Sequence, residues 1–187
     1  MPLLSRQEAL ELLGQYIKNQ NMFRHCLASE AAMAALAKRL GQNEEKWAQA
    51  GLLHDLDVEM TNADLKVHGL ESSRILQEKG LDEDVVEAIK LHNEMSSGIP
   101  RSATFHYALA AAETLTGLVT ATTLVYPDKK LASVKVKSVT KRMKERQFAA
   151  SVNREIIMEC EKIPLPLEEF ATIVLQAMQS ISNDLGL

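Results

Sequence analysis

Apolar residues recur at helical spacing along almost the whole chain, and no stretch alternates long enough to make a strand. Ser5-Arg6-Gln7-Glu8 has the Ser-x-x-Glu form of a capping box, and Ala9, Leu12, Leu13, Tyr16 and Ile17 behind it predict a first helix. Asn19 to Asn21 reads as an interruption. A second helix is expected from about Phe23 to Leu40, opened by His25 and stopped by Gly41. Asn43 can cap a third, in which Trp47, Ala50, Gly51 and His54 fall at i, i+3, i+4 and i+7, so that His54 shares the apolar face. Further helices are predicted over Lys66 to Lys79, with His68 at its beginning, and after Asp82, where Val85, Ile89 and His92 keep the spacing. Ser96 to Pro100 reads as a loop. A small-residue helix from about Ala103 to Leu118 carries Glu113 on a packed face. A short helix over Arg154 to Glu161, a Pro164-Leu165-Pro166 break and a final amphipathic helix marked by Phe170, Ile173, Val174, Ala177, Met178 and Ile181 complete an all-α expectation.

Composition sharpens this picture. Aromatics are 4% of the chain while Ala, Leu, Met, Glu and Lys abound, a mix that favours helix over sheet. The 187 residues suit one domain with a real core, residues 1–187, with a C-terminal helical extension from about residue 129. No apolar run approaches a membrane span and no charged-then-apolar leader follows Met1, so a cytoplasmic protein without membrane attachment is expected. Cys26 and Cys160 read as buried or free thiols rather than as a disulfide framework. Basic charge is concentrated between Lys129 and Arg146, where eight Lys and Arg face one acid, Glu145, although the whole chain stands at -4. Lys137, Lys141 and Lys144 share a face there and are candidates to gather a substrate phosphate.

The candidate chemistry centres on Leu52-Leu53-His54-Asp55-Leu56-Asp57, where an apolar run ends in an imidazole and two carboxylates. Adjacent side chains on an α-helix point roughly 100° apart, so His54 and Asp55 reach one ion together only if the helix ends or flares there. His25, His68 and His92 lie on separate segments, as dispersed ligands do before a fold assembles them. His106 fits no such pattern and reads as a surface or packing residue.

The order His25, His54-Asp55, His68, His92, Glu113 resembles the HD-domain superfamily of metal-dependent phosphohydrolases, in particular its small predicted-hydrolase branch. Arg24-His25-Cys26-Leu27-Ala28, Ala50 to Asp57, Lys66-Val67-His68-Gly69, Lys90 to Glu94, Leu115-Thr116-Gly117-Leu118 and Lys135 to Val139 carry the likeness over most of the chain. The resemblance implies an HD-domain helical bundle. It also implies a first metal at His25, His54, Asp55 and Glu113, with Asp55 bridging to a second at His68 and His92. The family's late acid is commonly Asp, and here Glu113 stands at that position, one methylene longer. Ligands of this mixed nitrogen and oxygen kind suit one or two ions of Fe, Mn, Co, Ni or Mg. The implied activity is hydrolysis of a nucleotide or other small phosphorylated metabolite by a metal-bound hydroxide. Asp55 belongs to that machinery, and Asp57 and Glu59 just beyond it are candidate proton relays. A nucleic-acid polymer is not the expected partner. Two alternatives share the residues: a di-iron oxygenase of the same superfamily, and a metal-poor binding module in which Glu113 marks a decayed site.

Overall fold

The computed structural model describes residues 3–187; Met1 and Pro2, next to the expected absence of a leader, lie outside it. Among the described residues every regular element is a helix, and no helix is long and apolar enough to cross a membrane. Helix α1, Arg6–Tyr16, begins with the expected capping box: Ser5 Oγ accepts from the Glu8 N–H and the Glu8 carboxylate accepts from the Ser5 N–H at 2.8 Å. Helix α2, Gln20–Leu40, starts earlier than the sequence suggested. Asn19 Oδ1 accepts from the Asn21 and Met22 N–H groups, so the Asn-rich stretch initiates the helix rather than interrupting it, and His25 sits in its second turn. Gly41 ends α2 at φ +65°.

Helix α3, Glu44–Leu53, is capped by Asn43 and ends with His54 as its last, half-helical residue. Residues 54–69 then fold as consecutive turns. The helix expected from Lys66 is shorter, α4 covering Leu70–Glu78, because Gly69 at φ +94° breaks the helical path and leaves His68 in the preceding turn. Helix α5, Glu83–Leu91, is capped by Asp82 and finishes at His92. A one-turn helix α6, Glu94–Ser97, lies in the expected loop. Helix α7, Thr104–Leu124, outruns its expected end at Leu118 because nothing in Val119 to Leu124 stops a helix before Pro127. Beyond it come α8, Val136–Arg142, which ends before Lys144, then α9, Arg154–Ile157, which passes into a 3-10 turn over Met158–Lys162, and finally α10, Leu167–Ser180, and α11, Ser182–Leu185.

Helix α2 is the hub and packs against α3, α7 and α10. Its buried face, Cys26, Ala28, Ser29, Ala32, Met33, Leu36 and Ala37, is mostly small, so neighbouring helices approach closely. At the tightest point a Cβ built on Gly51 of α3 would stand 2.4 Å from the Ser29 carbonyl oxygen of α2, so only glycine fits. Helix α7 is apolar on most sides and runs through the interior, as an all-round hydrophobic helix must. The C-terminal segment belongs to the same core: Phe170 of α10 is fully buried, and a side chain of that size contributes about 1.5–3 kcal/mol by burial. Both cysteines are buried free thiols.

Candidate metal centre

Four histidines and one aspartate meet where α2, α3, α7 and the segment around α4 and α5 converge. Two of the histidines sit at helix C-termini, whose last carbonyls lack intrahelical partners. His54 donates its Nδ1–H to the Gly51 carbonyl at 2.8 Å, and His92 donates its own to the Ile89 carbonyl at 2.6 Å. Each ring therefore satisfies its own helix end and turns Nε2 away from it. The other two are oriented by side chains. His68 Nδ1–H donates to Asp57 Oδ1 at 2.7 Å. Thr116 spends its hydroxyl hydrogen on the Glu113 carbonyl, so its oxygen accepts from His25 Nδ1–H at 3.2 Å.

All four Nε2 atoms consequently face one place. His25 Nε2 lies 3.2 Å from His54 Nε2, and His68 Nε2 lies 3.1 Å from His92 Nε2. Asp55 reaches both pairs: Oδ2 stands 3.5 Å from His25 Nε2, and Oδ1 stands 3.3, 3.0 and 3.6 Å from the Nε2 atoms of His54, His68 and His92. The donors form two groups that share Asp55, one with His25 and His54 and one with His68 and His92, each compact enough to hold an ion.

The spacing fits that use. Two nitrogens about 2.1 Å from one ion and at a right angle to each other stand about 3.0 Å apart. Lone pairs aimed at one another in a buried place are unfavourable unless a cation or a shared proton lies between them. Protonation in the metal-free protein follows this logic. Burial pushes His25 down to about 4 and His92 to about 3, which keeps both neutral. Against the effect of burial, Asp55 and Asp57 raise His68 to about 10, while the histidines hold Asp55 well below the ordinary carboxylate range. A divalent cation bound by these donors would displace protons from the cluster, as metal binding to carboxylate and imidazole ligands does.

Glu113 stands at the margin. Its Oε2 is 3.8 Å from His25 Nε2, its other oxygen accepts from the Thr114 hydroxyl, and burial raises its carboxyl to about 7. Asp57 and Glu59, the candidate proton relays, are each held by hydrogen bonds of their own, and neither lines the cavity that opens on the histidines. Asp57 is fully buried and its carboxylate is saturated by His68, by the Gly69 N–H at 2.7 Å and by the Ser72 N–H at 3.1 Å, so it orients His68 and caps α4. Glu59 accepts from the Lys18 and Asn19 N–H groups at 2.8 and 2.7 Å and fastens the α1–α2 connection. Lys137, Lys141 and Lys144 are exposed on or beside α8 and line no part of the cavity that opens on the histidines. His106 packs at the start of α7, where Nδ1 accepts from the Ala103 N–H.

The sequence did not single out Arg101, Asn93 or Thr116. Arg101 is 3% exposed in its side chain and donates to the Leu91 and His92 carbonyls, both at 3.0 Å, while Glu159 holds its Nε and Nη2. Asn93 donates to the His68 carbonyl at 2.9 Å and so ties the His68 turn to the end of α5. Thr116 and Asn93 lie inside stretches that resemble the family, which was a usable signal. Arg101, following a Gly-Ile-Pro turn, offered none.

With this fold and cluster established, comparison with known proteins gives the class. Residues 22–124, more than half of the chain, match the HD domain family, and the chain belongs to it. That membership makes it one of a superfamily of metal-dependent phosphohydrolases whose domains bind divalent metals. Among curated proteins it is similar to ribonuclease Y of Oleidesulfovibrio alaskensis, with 26% identity over 114 residues, 59% of this chain and 21% of that protein. It is also similar to ribonuclease Y from strains of Nitratidesulfovibrio vulgaris, with 31% identity over 91 residues, 46% of this chain and 18% of theirs. The alignments thus span about a fifth of the length of those relatives. No solved structure matches significantly.

Proposed function

We propose that the chain hydrolyses a phosphoester bond in a nucleotide or other small phosphorylated metabolite at this cluster. The observation that carries the reading is the convergence of four Nε2 atoms, each ring fixed through Nδ1, on a carboxylate that reaches both pairs. In this reading His25, His54 and Asp55 hold one divalent ion with Glu113 beside it, and Asp55, His68 and His92 hold a second. Such ions, when bound, polarise a phosphoryl oxygen and acidify water. The protein's own residues bind and orient. Asp57 keeps His68 in the ligating tautomer, Thr116 does so for His25, and Arg101 holds the end of α5 that carries His92. A cavity of about 620 Å³, with His25, His92 and Glu113 in its wall, is of the size small ligands occupy and opens beside the cluster. The ribonuclease relatives add weight to chemistry at phosphorus, while the cavity's size favours a small substrate over a polymer.

The test is metal analysis of anaerobically prepared protein, followed by phosphate release from a set of phosphorylated metabolites. His54→Ala and Asp55→Ala should each remove most of the bound metal and the activity while leaving the far-UV circular dichroism helical. Full metal occupancy in both variants, or turnover that consumes O₂ without releasing phosphate, would overturn the reading.

A further inference from the structure

The wall of the cavity specifies more than its size. Four carboxylates line it, Glu94, Glu113, Glu155 and Glu159, against one cation, Arg101. That cation is already committed, since its guanidinium is bound by Glu159 and by two backbone carbonyls. Two further cations lie near the wall without lining it. Arg154 donates to the carbonyls of Ala149, Val152 and Phe148, and Lys162 lies over the Tyr107 ring and 3.9 Å from Glu159. Glu155 is exposed and has no ion-pair partner among the described residues. The remaining wall is uncharged and mixed: Asn93, Thr114, Ser151 and Asn153 are polar, while Val152, Ile156, Leu65 and Met95 are apolar, the last two 51% and 70% exposed.

Resting on the phosphohydrolase reading, we propose that this pocket selects a phosphoester with a single phosphoryl group and an uncharged organic body, and rejects substrates with a second anionic centre. Within the lining, the charge a phosphoryl group can meet without displacing an existing ion pair lies at the histidine cluster. Any further phosphate or carboxylate extends along a wall where acids outnumber the one cation, with Glu155 unpaired, so it meets net negative charge that solvent screens only in part. Leu65 and Met95, large and exposed at the mouth, are the surfaces an uncharged body would cover. Nucleoside triphosphates and RNA, with successive charges, are the wrong partners for such a wall.

The experiment compares phenyl phosphate with 4-carboxyphenyl phosphate, and AMP with ATP, on the metal-loaded protein. The carboxylate makes the phenol a better leaving group, so chemistry alone favours the charged ester. The proposal expects kcat/KM about tenfold lower for 4-carboxyphenyl phosphate, and lower again for ATP than for AMP, as one partly screened like charge produces at an intermediate dielectric. Glu155→Lys should close most of the gap. Binding of phenylphosphonate and 4-carboxyphenylphosphonate, measured by calorimetry, separates this proposal from the reading beneath it. Preferential binding of phenylphosphonate over its 4-carboxy analogue without phosphate release from any ester would keep the selectivity and remove the hydrolase. Equal affinity, absence of binding by either phosphonate, or a Glu155→Lys variant with an unchanged ratio overturns the selectivity.

Discussion

Asp57 shows how a single side chain changes meaning once its neighbours are known. Beside His54-Asp55 it reads as an acid in reach of the reaction, yet its carboxylate accepts from His68, Gly69 and Ser72 and has no exposure. Burial alone would raise its carboxyl; the His68 hydrogen bond and charge and the two backbone N–H groups hold it below the ordinary value. Asp57→Asn keeps the size and removes the charge that fixes His68. Partners of metal-bound histidines typically lower affinity about 10–100-fold when replaced, and that range is expected here in a metal titration of apo protein. A relay would behave differently, losing rate with affinity intact. Glu113 gives a second check: Glu113→Gln should weaken metal binding, whereas Glu113→Asp should retain it if the shorter acid still reaches. Equal affinity in all three proteins would remove Glu113 from the ligand set.

At the scale of elements, the site depends on where helices end and how closely they pass. Helices α3 and α5 both stop at a histidine that donates to the carbonyl three residues back, so a helix terminus and a ligand tautomer are set by the same bond. The distance between His25 and His54 depends on Gly51, where α3 touches the α2 backbone. Gly51→Ala forces the helices apart and should cost about 1–3 kcal/mol in urea unfolding, with metal affinity falling as well. Asp82 caps α5 from its start, accepting from the Asp84 N–H at 3.1 Å and pairing with Lys46 at 2.7 Å. Against partial burial, Lys46 and the backbone hold its carboxyl below 3.8. Asp82→Ala should cost about 1 kcal/mol at neutral pH. The native-state value is the depressed one, so this contribution is present above 3.8 and lost as the pH falls through the folded value. Wild-type and variant stabilities should therefore converge in acid.

At the scale of the whole molecule, Arg101 and Glu159, 58 residues apart in sequence, join the end of α5 to the 3-10 turn after α9. Their side chains are 3% and 14% exposed. Glu159→Gln would leave the guanidinium buried with only Glu94, 3.6 Å from its Nε, in partial compensation. A loss of about 3 kcal/mol in urea unfolding is expected, the lower end for a broken buried pair. Because Arg101 also holds the His92 carbonyl, metal affinity should fall with stability. A destabilised variant with unchanged affinity would show that this brace does not reach the site.

The division between sequence and tertiary structure follows from range. Helical periodicity, the capping box at Ser5, the Asn43 and Asp82 caps and the stop at Gly41 act within a few residues, and all were legible in the chain. So were the five clustered residues His25, His54, Asp55, His68 and His92, because their types and order suffice to mark them. Helix starts such as Gln20 and Leu70 were misjudged where one turn of backbone decided: Asn19 caps instead of breaking, and Gly69 takes a left-handed turn. What no local pattern could supply was direction. Whether Asp57 faces the cavity or His68, whether Glu59 meets a proton or two N–H groups of the α1–α2 turn, and whether the basic residues of α8 overlook the site all depend on contacts between segments far apart in sequence. Those contacts are fixed by packing around α2, and only the assembled helices decide which charges line the cavity and which are spent holding it together.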